Sequence, residues 1–342
     1  METAGWRNQI WKREHQSFSE CEAHLDQRIP PRIIQTARSR NLPLLARAVA
    51  ANLRCLNPGF EYRFFDDEEV NAFIRNEFPH HWGIFEGFPF RIQKFDFFRY
   101  LAMFRLGGFY FDTDVFLAAG LDELRLHSCV FPFEELTLSR YLRRRHGMDW
   151  EIGNYAFGAA AGHPFLEAVI QNCIRAQRDP AWVRPMLKGI PRLFRSEFYV
   201  LNTTGPGLLS RTLAEHPNLA QDVTVLFPED VCDDRTWHQF GKFGVHAMEG
   251  SWRTRSGYLR RRLGNLWEAW ASRRGMAESR RLGKTRACVG NTVKGTPADG
   301  RGSVRCGAGV SPASHGGVPP PAANGQPGET LGRLAGETPA LH

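Results

Sequence analysis

The sequence has 342 residues, enough for one large domain or two ordinary ones, and its 42% hydrophobic and 12% aromatic residues can form a sizeable core. Its seven cysteines are scattered without the short spacings of a zinc site, which argues against a zinc module or a disulfide framework and favours a reducing, cytoplasmic setting. The first residues lack the apolar core of a signal peptide. The sequence contains no run of about 18 apolar residues and therefore predicts no membrane span.

The formal net charge of +8 is concentrated in one segment. Residues 253–286 hold eleven Arg and Lys against two Glu, whereas the rest of the chain holds 33 basic and 34 acidic residues. The basicity is therefore a property of this segment and not of the whole fold. Because no base-stacking aromatic pattern or known reading motif accompanies it, the sequence predicts no nucleic-acid partner.

Strands and helices alternate along the first part of the chain. The pattern predicts, in order, a strand over 32–36, a helix over 42–56, a strand over 61–65, a helix from 66 to about 77, a helix over 93–106 and a strand over 109–111 that continues through 112–117. Gly107 and Gly108 close the last helix. This alternation predicts an α/β sheet, in which ligands bind at the carboxyl ends of strands.

Composition divides the chain into four parts. We predict a polar N-terminal arm over 1–27, one domain over 28–252 and a basic amphipathic helical segment over 253–286. Residues 287–342 contain no Phe, Trp, Tyr or Ile, and twelve Gly and seven Pro stand among their 56 residues. Such a composition cannot form a core and predicts a disordered tail.

The first candidate for chemistry is Asp112-Thr113-Asp114, which follows an aromatic strand. On an extended backbone, residues i and i+2 point to the same side, so the two carboxylates are expected to converge. Two close carboxylates repel each other unless a cation or a proton lies between them, and oxygen ligands suit Mg²⁺ or Mn²⁺. An acidic turn is the plain alternative, but the flanking residues here are hydrophobic.

A second candidate pair lies on the predicted 93–106 helix. Asp96 and Arg99 share one face of a helix that is apolar on nearly every side and is therefore expected to be buried. Burying two charges is costly unless they pair with each other or meet a polar ligand. The pair is thus either a buried ion pair or a site for sugar and ribose hydroxyls.

A weaker candidate lies near the end of the predicted domain. His246, Glu249 and Ser251 place a ring nitrogen, a carboxylate and a hydroxyl within six residues, any of which could complete the coordination of a metal. A lone histidine before a loop is more often structural.

The run from Arg91 to Val115 resembles the signature of glycosyltransferase family 32, which includes Och1-type mannosyltransferases and capsular polysaccharide transferases. Five further stretches of the sequence agree with that family in order: 29–36, 57–67, 153–166, 204–207 and 246–252. The resemblance covers roughly residues 28–252. It implies a GT-A fold, a Rossmann-like nucleotide-sugar-binding domain with helical additions.

The resemblance also implies roles for individual residues. Asp112 and Asp114 would hold a divalent metal, usually Mn²⁺ (or Mg²⁺), completed by His246 and Ser251. Five residues would bind the sugar and nucleotide of the donor: Asp96, Arg99, Tyr110, Asn154 and Trp252. The family retains anomeric configuration, and no protein nucleophile is assigned.

The chain departs from the family near its start. The family often reads Ile-Ile-His-Gln-x-Trp there, whereas this chain has Gln35 in place of the histidine and Arg38 in place of the aromatic residue. The residues expected beside the nucleobase are therefore absent, and the sequence leaves UDP and GDP open as the donor nucleotide.

The function predicted from these observations is retaining, metal-dependent transfer of a hexose from a nucleotide sugar to a surface-glycan or glycolipid acceptor. Two alternatives remain: a catalytically inactive metal- or carbohydrate-binding module, and a protein-modifying, toxin-like glycosyltransferase. The expected location is cytoplasmic. Within 253–274, leucines and tryptophans recur at helical spacing among arginines, so this segment either docks peripherally on the inner face of an anionic membrane or packs on the domain.

Overall fold

A computed structural model describes residues 29–248 of the chain. Its strands are β1 (Arg32–Thr36), β2 (Glu61–Phe65), β3 (Gly108–Phe111), β4 (Val115–Leu117), β5 (Cys129–Leu136), β6 (Trp150–Ile152), β7 (Ala156–Ala159), β8 (Thr224–Leu226) and β9 (Gly244–His246). Its helices are α1 (Leu44–Leu56), α2 (Asp67–Glu77), α3 (Trp82–Glu86), α4 (Arg91–Leu106), α5 (Pro164–Arg178), α6 (Pro180–Val183), α7 (Arg195–Thr203), α8 (Pro206–Glu215) and α9 (Pro217–Ala220).

Seven of these strands form one sheet in the order β2-β1-β3-β7-β5-β6, with β8 beside β5. The β2-β1-β3 half is parallel, because helices cross over between its strands. In the other half β7 is antiparallel to β3 and to β5, while β8 is parallel to β5. A separate two-stranded ribbon pairs β4 with β9 and brings His246 opposite Val115.

The two faces of the sheet are covered by two hydrophobic clusters. On one face, side chains such as Ile34 and Phe157 pack with the helices α4, α5 and α8. On the other face, Phe109 and Phe111 pack with α1 and with Phe240. Successive residues of each buried strand therefore pack into opposite hydrophobic clusters, because successive side chains of a strand point to opposite faces of the sheet.

Helix boundaries follow local chemistry closely. Helix α2 begins with a capping box, in which the Asp66 carboxylate accepts the Glu69 amide at 3.0 Å and the Glu69 carboxylate accepts the Asp66 amide at 3.0 Å. Helix α1 begins at Leu44 and not at Leu42, as the sequence predicted, because Pro43 takes the N-cap position in an extended conformation.

Two glycines turn the chain from α4 into β3. Gly107 and Gly108 have φ values of 63° and 112°, which other residues rarely adopt. A Cβ atom on Gly108 would lie 2.6 Å from the Arg32 carbonyl oxygen of the neighbouring strand β1. The predicted helix cap is therefore present, and the second glycine also permits close approach of β3 to β1.

The predicted α/β class is confirmed, and so is the burial of α4, whose residues from Phe97 to Met103 are all buried. Within residues 29–248 no helix is both long and apolar enough to cross a membrane. The predicted arm over 1–27, the basic segment over 253–286 and the tail over 287–342 lie outside the described residues, as do both predicted domain boundaries.

Candidate active site

The two aspartates of the candidate motif lie in a turn at the carboxyl end of β3. The sequence predicted one strand through 109–117, but the strand ends at Phe111 and resumes at Val115. The Val115 amide donates to the Asp112 carbonyl at 3.3 Å, and the Asp112 amide donates to the Tyr155 carbonyl at 2.7 Å. The turn between β3 and β4 replaces the predicted extended geometry, and the carboxylates still converge.

Asp112, Asp114 and His246 form one potential ligand group. One oxygen or nitrogen of each side chain lies within 4.8 Å of the others, and all three are only partly buried. The β4-β9 ribbon delivers His246, whose Nε2 lies 3.3 Å from an oxygen of Asp114. The backbone beside it is fixed by the Ala247 amide, which donates to the Asp114 carbonyl at 2.9 Å.

The chemistry of this group fits a divalent cation. Two carboxylates suit Mn²⁺ or Mg²⁺, and an imidazole suits transition metals. Repulsion between the two carboxylates is costly without a cation, and His246 Nδ1 is buried with no hydrogen-bond partner among the described residues. Burial raises the pKa of Asp112, with Arg99 opposing the shift and Asp114 adding to it.

Arg99 connects the motif to the predicted sugar-binding pair. Its guanidinium is 3% exposed and lies 3.1 Å from Asp96 and 3.1 Å from Asp112. It also donates to the Asn154 carbonyl at 2.7 Å and lies over the Tyr110 ring, 4.6 Å from its centroid. The Arg99 Nε is a buried donor with no acceptor among the described residues.

Polar groups from two other parts of the chain hold Asp96 in place. Its carboxylate accepts from Asn154 at 3.1 Å and from the Thr204 hydroxyl at 2.9 Å. The Tyr100 hydroxyl accepts from Asn154 at 3.2 Å and donates to the Thr204 carbonyl at 2.6 Å. Burial raises the pKa of Asp96, and the Arg99 guanidinium acts against that rise.

Tyr110 lies directly beside the motif. Its hydroxyl donates to the Asp112 carboxylate at 2.9 Å, and its ring is buried between Arg99 and Phe157.

The structure thus brings seven of the predicted site residues together at one edge of the sheet: Asp96, Arg99, Tyr110, Asp112, Asp114, Asn154 and His246. Their roles in binding and catalysis stay predictions. Ser251 and Trp252, predicted as a metal ligand and a donor contact, lie outside the described residues.

Gln35, which replaces the family histidine, supports the motif from β1. Its side-chain amide donates to the Asp112 carbonyl at 3.2 Å, and its oxygen accepts the Tyr62 hydroxyl at 2.7 Å. Tyr62 in turn lines a groove of about 1100 Å³ along β2 and α1. Gln35 therefore positions the backbone of the motif, and the Tyr62 side chain connects it to this groove.

Sequence reasoning missed a polar cluster behind His246. The Tyr155 ring stacks on His246 with centroids 4.3 Å apart, and its buried hydroxyl has no partner among the described residues. Glu134 lies 3.3 Å from His238, which has a φ of 57° and whose carbonyl accepts the His246 amide at 3.1 Å. The only sequence signal was the position of Tyr155, directly after Asn154.

A second partly buried carboxyl, Glu151, lies beside this cluster and makes stability depend on pH. Burial raises its pKa from 4.5 to about 7, with the Thr137 hydroxyl bond opposing the rise and Glu134 adding to it. Between those pH values the folded protein binds more protons than the unfolded one, so stability falls as pH rises. Glu151→Gln cannot titrate, so its free energy of unfolding should fall by about 2–3 kcal/mol less than that of wild type between pH 5 and pH 8. Urea unfolding of both proteins at the two pH values measures this difference. Parallel pH profiles of the two proteins would contradict it.

Comparisons with known proteins agree with this geometry. The sequence model described as "Glycosyltransferase sugar-binding region containing DXD motif" matches residues 47–131, which run from α1 to β5. The chain is similar to inositol phosphoceramide mannosyltransferase 3 of Schizosaccharomyces pombe, with 33% identity over 43% of this chain and 38% of that protein. It is 25% identical to the mannosyl phosphorylinositol ceramide synthase SUR1 of Saccharomyces cerevisiae over 54% of this chain and 41% of that one.

The chain spans about two fifths of the length of these relatives. Among solved structures, the PaToxG glycosyltransferase aligns with a TM-score of 0.36 and 11% identity over 61% of this chain and 80% of that one. The matched residues of the sequence model include Asp96, Arg99, Tyr110, Asp112 and Asp114. With its α/β sheet and its DXD turn at a strand end, the chain resembles the DXD-containing glycosyltransferases over residues 47–131.

Proposed function

We propose that this chain transfers a hexose from a nucleotide sugar to a glycan or lipid-linked acceptor, with retention of configuration and with a divalent metal. The observation that carries the proposal is the Asp112-Asp114-His246 group directly beside Arg99. Two relatives are named as enzymes that attach mannose to an inositol-containing ceramide, so mannose and a lipid-linked acceptor are the first candidates to test.

In this proposal Asp112, Asp114 and His246 hold the metal, which would be Mn²⁺ or Mg²⁺. Such an ion neutralises negative charge on a departing nucleotide diphosphate. The Arg99 guanidinium, held by two carboxylates, is a charged donor oriented in advance toward the hydroxyls of the transferred sugar. Because this charge is already oriented, it costs little reorganisation during the reaction.

Asp96 and Asn154 orient the transferred sugar. Their side chains are bonded to each other and to Tyr100 and Thr204, which leaves them few alternative rotamers. A preorganised carboxylate and amide suit the hydroxyls of a hexose, since a site built to bond a hydroxyl discriminates strongly against its absence. No residue is proposed as a nucleophile.

The test is a screen of nucleotide sugars for slow hydrolysis without acceptor, with Mn²⁺ present. We expect one donor to be hydrolysed well above the others and the reaction to stop in excess EDTA. A protein that binds Mn²⁺ and nucleotide sugar but hydrolyses none of them would instead support the inactive binding module. Hydrolysis unaffected by EDTA would contradict the metal requirement.

We further propose that the donor nucleotide lies in the groove along β2. Its lining includes three arginines and one carboxylate, and the arginines Arg40 and Arg54 lie over the rings of Phe64 and Tyr62. Positive charge beside aromatic rings suits a nucleoside diphosphate. This placement would compensate for the aromatic residue that the chain lacks after β1.

Replacing Tyr62 by Ala is then expected to weaken UDP or GDP binding about tenfold, since stacking on one ring contributes about 1–3 kcal/mol per base. Tyr62→Phe is the matched control, because it keeps the ring and removes only the hydrogen bond to Gln35. Isothermal calorimetry with each nucleotide measures both. Unchanged binding by Tyr62→Ala would place the nucleotide elsewhere.

The location also stays a proposal. A lipid-linked acceptor would require the enzyme to work at a membrane surface, and we propose a peripheral position on the inner face of the cytoplasmic membrane. Fractionation of cells that express the full chain, followed by a high-salt wash of the membranes, tests it. Recovery only in the soluble fraction would contradict it.

A further inference from the structure

Two segments of the described chain are rich in arginine and lysine and contain no acidic residue. They are 138–148, which includes the turn between β5 and β6, and 184–195, which leads into α7. Seven of their basic residues are exposed and form no salt bridge with any residue in 29–248: Arg140, Arg144, Arg145, Arg184, Lys188, Arg192 and Arg195. We call these seven residues the basic face.

The two segments pack against each other, so their basic residues belong to one part of the surface. Leu138 contacts the apolar cluster that contains Ile190 and Phe194. The Ser139 hydroxyl lies 3.4 Å from the Met186 sulfur. A Cβ atom on Gly189 would lie 3.4 Å from the Nε of Arg140, one of the seven.

A further contact holds the other end of the two segments together. The buried Arg211 guanidinium lies over the rings of both Tyr141 and Trp182 and bonds to Glu215, which also accepts the Tyr141 hydroxyl. The carboxylate of Glu215 is thereby occupied and does not neutralise the basic face. These buried contacts anchor the segments that carry the basic face.

An exposed apolar side chain projects among these charges. Leu193 is 47% exposed and lies between Arg192 and Arg195. By contrast, no aromatic residue of the two segments is exposed, since Phe194 is buried and Tyr141 is partly buried. Nucleic-acid surfaces combine basic residues with aromatic stacking platforms, whereas a lipid interface combines them with an apolar side chain that enters the headgroup region.

We propose that the basic face docks this protein on an anionic lipid membrane. Arginine and lysine residues near such a surface are attracted to its phosphates, and Leu193 adds apolar contact. The face adjoins the candidate active site, because α7 begins at Arg195 and its nine residues span about 13 Å before Thr204, the partner of Asp96. Docking through this face would hold the site close to the membrane surface. The inference concerns binding alone and does not depend on glycosyl transfer.

The experiment is sedimentation of the full chain with vesicles of equimolar phosphatidylcholine and phosphatidylglycerol, and with phosphatidylcholine alone. We expect binding to the anionic vesicles only. The double variant Arg144→Glu/Arg192→Glu should bind at least about 30-fold more weakly, because each basic residue near the surface contributes a factor of about five to the affinity. The matched control Arg38→Glu/Arg47→Glu changes the net charge equally at exposed positions just after β1 and on α1, and it should bind like wild type.

Two further measurements distinguish lipid docking through this face from a general attraction to polyanions and from an effect of net charge. Leu193→Ser should weaken vesicle binding without a change of charge, whereas equal binding by this variant would point to a general polyanion surface and overturn the lipid assignment. Equal losses of vesicle binding in both double variants would show that only net charge matters. Wild-type binding by Arg144→Glu/Arg192→Glu would mean that another surface, such as the 253–274 segment, docks on the membrane. Thermal unfolding of each variant confirms that it is folded.

Discussion

Replacing Asp114 by Asn is expected to abolish most sugar transfer while leaving the fold intact. The substitution keeps the shape of the side chain and removes one charged oxygen ligand from the Asp112-Asp114-His246 group. Losing electrostatic stabilisation of this kind costs a factor of about 10² or more in rate. Donor hydrolysis with Mn²⁺ measures the loss.

Metal binding gives a readout that does not depend on activity. We expect the Mn²⁺ affinity of Asp114→Asn, measured by the electron paramagnetic resonance signal of the free ion, to fall at least about tenfold relative to wild type. Its unfolding midpoint without metal should stay equal or rise, because the variant removes repulsion between two close carboxylates. The backbone bond from Ala247 to residue 114 does not involve the side chain and should persist.

Asp122→Asn is the matched control, since Asp122 follows the motif in sequence but its side chain is 81% exposed and pairs with Arg125 on the surface. This variant should keep both Mn²⁺ affinity and hydrolysis. Normal hydrolysis by Asp114→Asn would overturn the metal assignment. A loss of hydrolysis with normal Mn²⁺ binding would assign Asp114 to substrate and not to metal.

The parts of the site that could be predicted are those whose chemistry is local in sequence. Asp96 and Arg99 stand out because they are charged residues on an otherwise apolar helix, and the structure buries both. The Gly-Gly cap and the two aspartates likewise form one uninterrupted stretch. The resemblance to a family added Asn154, which the local pattern alone does not single out. His246 was only a weak candidate from the local pattern, and the resemblance strengthened its assignment to the metal.

The parts that could not be predicted depend on how distant strands meet. The sequence predicted β3 and β4 as one strand, because an apolar run continues on both sides of the motif, but the Tyr155 carbonyl on the neighbouring loop accepts the Asp112 amide and the chain turns there. Glu134 and His238 are 104 positions apart, and only the packing of the loop before β9 against β5 brings them together. Neither residue lies in a motif.

Gln35 illustrates a different limit. In the sequence it is a departure from the family pattern and signals only an absent histidine. In the fold it is fully buried and bonds both Tyr62 and the Asp112 carbonyl. A substitution interpreted as a loss thus has a structural role, because register places β1 beside β3.

The second large effect is expected at Arg99, where Arg99→Met should destabilise the fold by about 3–5 kcal/mol. The reason is that Arg99 is the buried cation between Asp96 and Asp112, and its removal leaves two carboxylates without a counter-charge. Urea unfolding at neutral pH measures the change. The matched control Arg105→Met lies on the same helix in an exposed pair with Glu77 and should cost less than about 1 kcal/mol.

Stability alone does not test the predicted sugar contact, so a second variant is needed. Arg99→Lys keeps the positive charge and should leave the variant folded, but a single ammonium group cannot reproduce the contacts that the planar guanidinium makes with Asp96, Asp112 and the Asn154 carbonyl. If this geometry orients the donor sugar, Arg99→Lys should bind the nucleotide sugar at least about tenfold more weakly than wild type does, while binding of the bare nucleotide diphosphate changes little. Calorimetry with both ligands, in the presence of Mn²⁺, compares the two affinities. An equal loss for both ligands would mean that Arg99 serves the diphosphate or the fold and not the sugar.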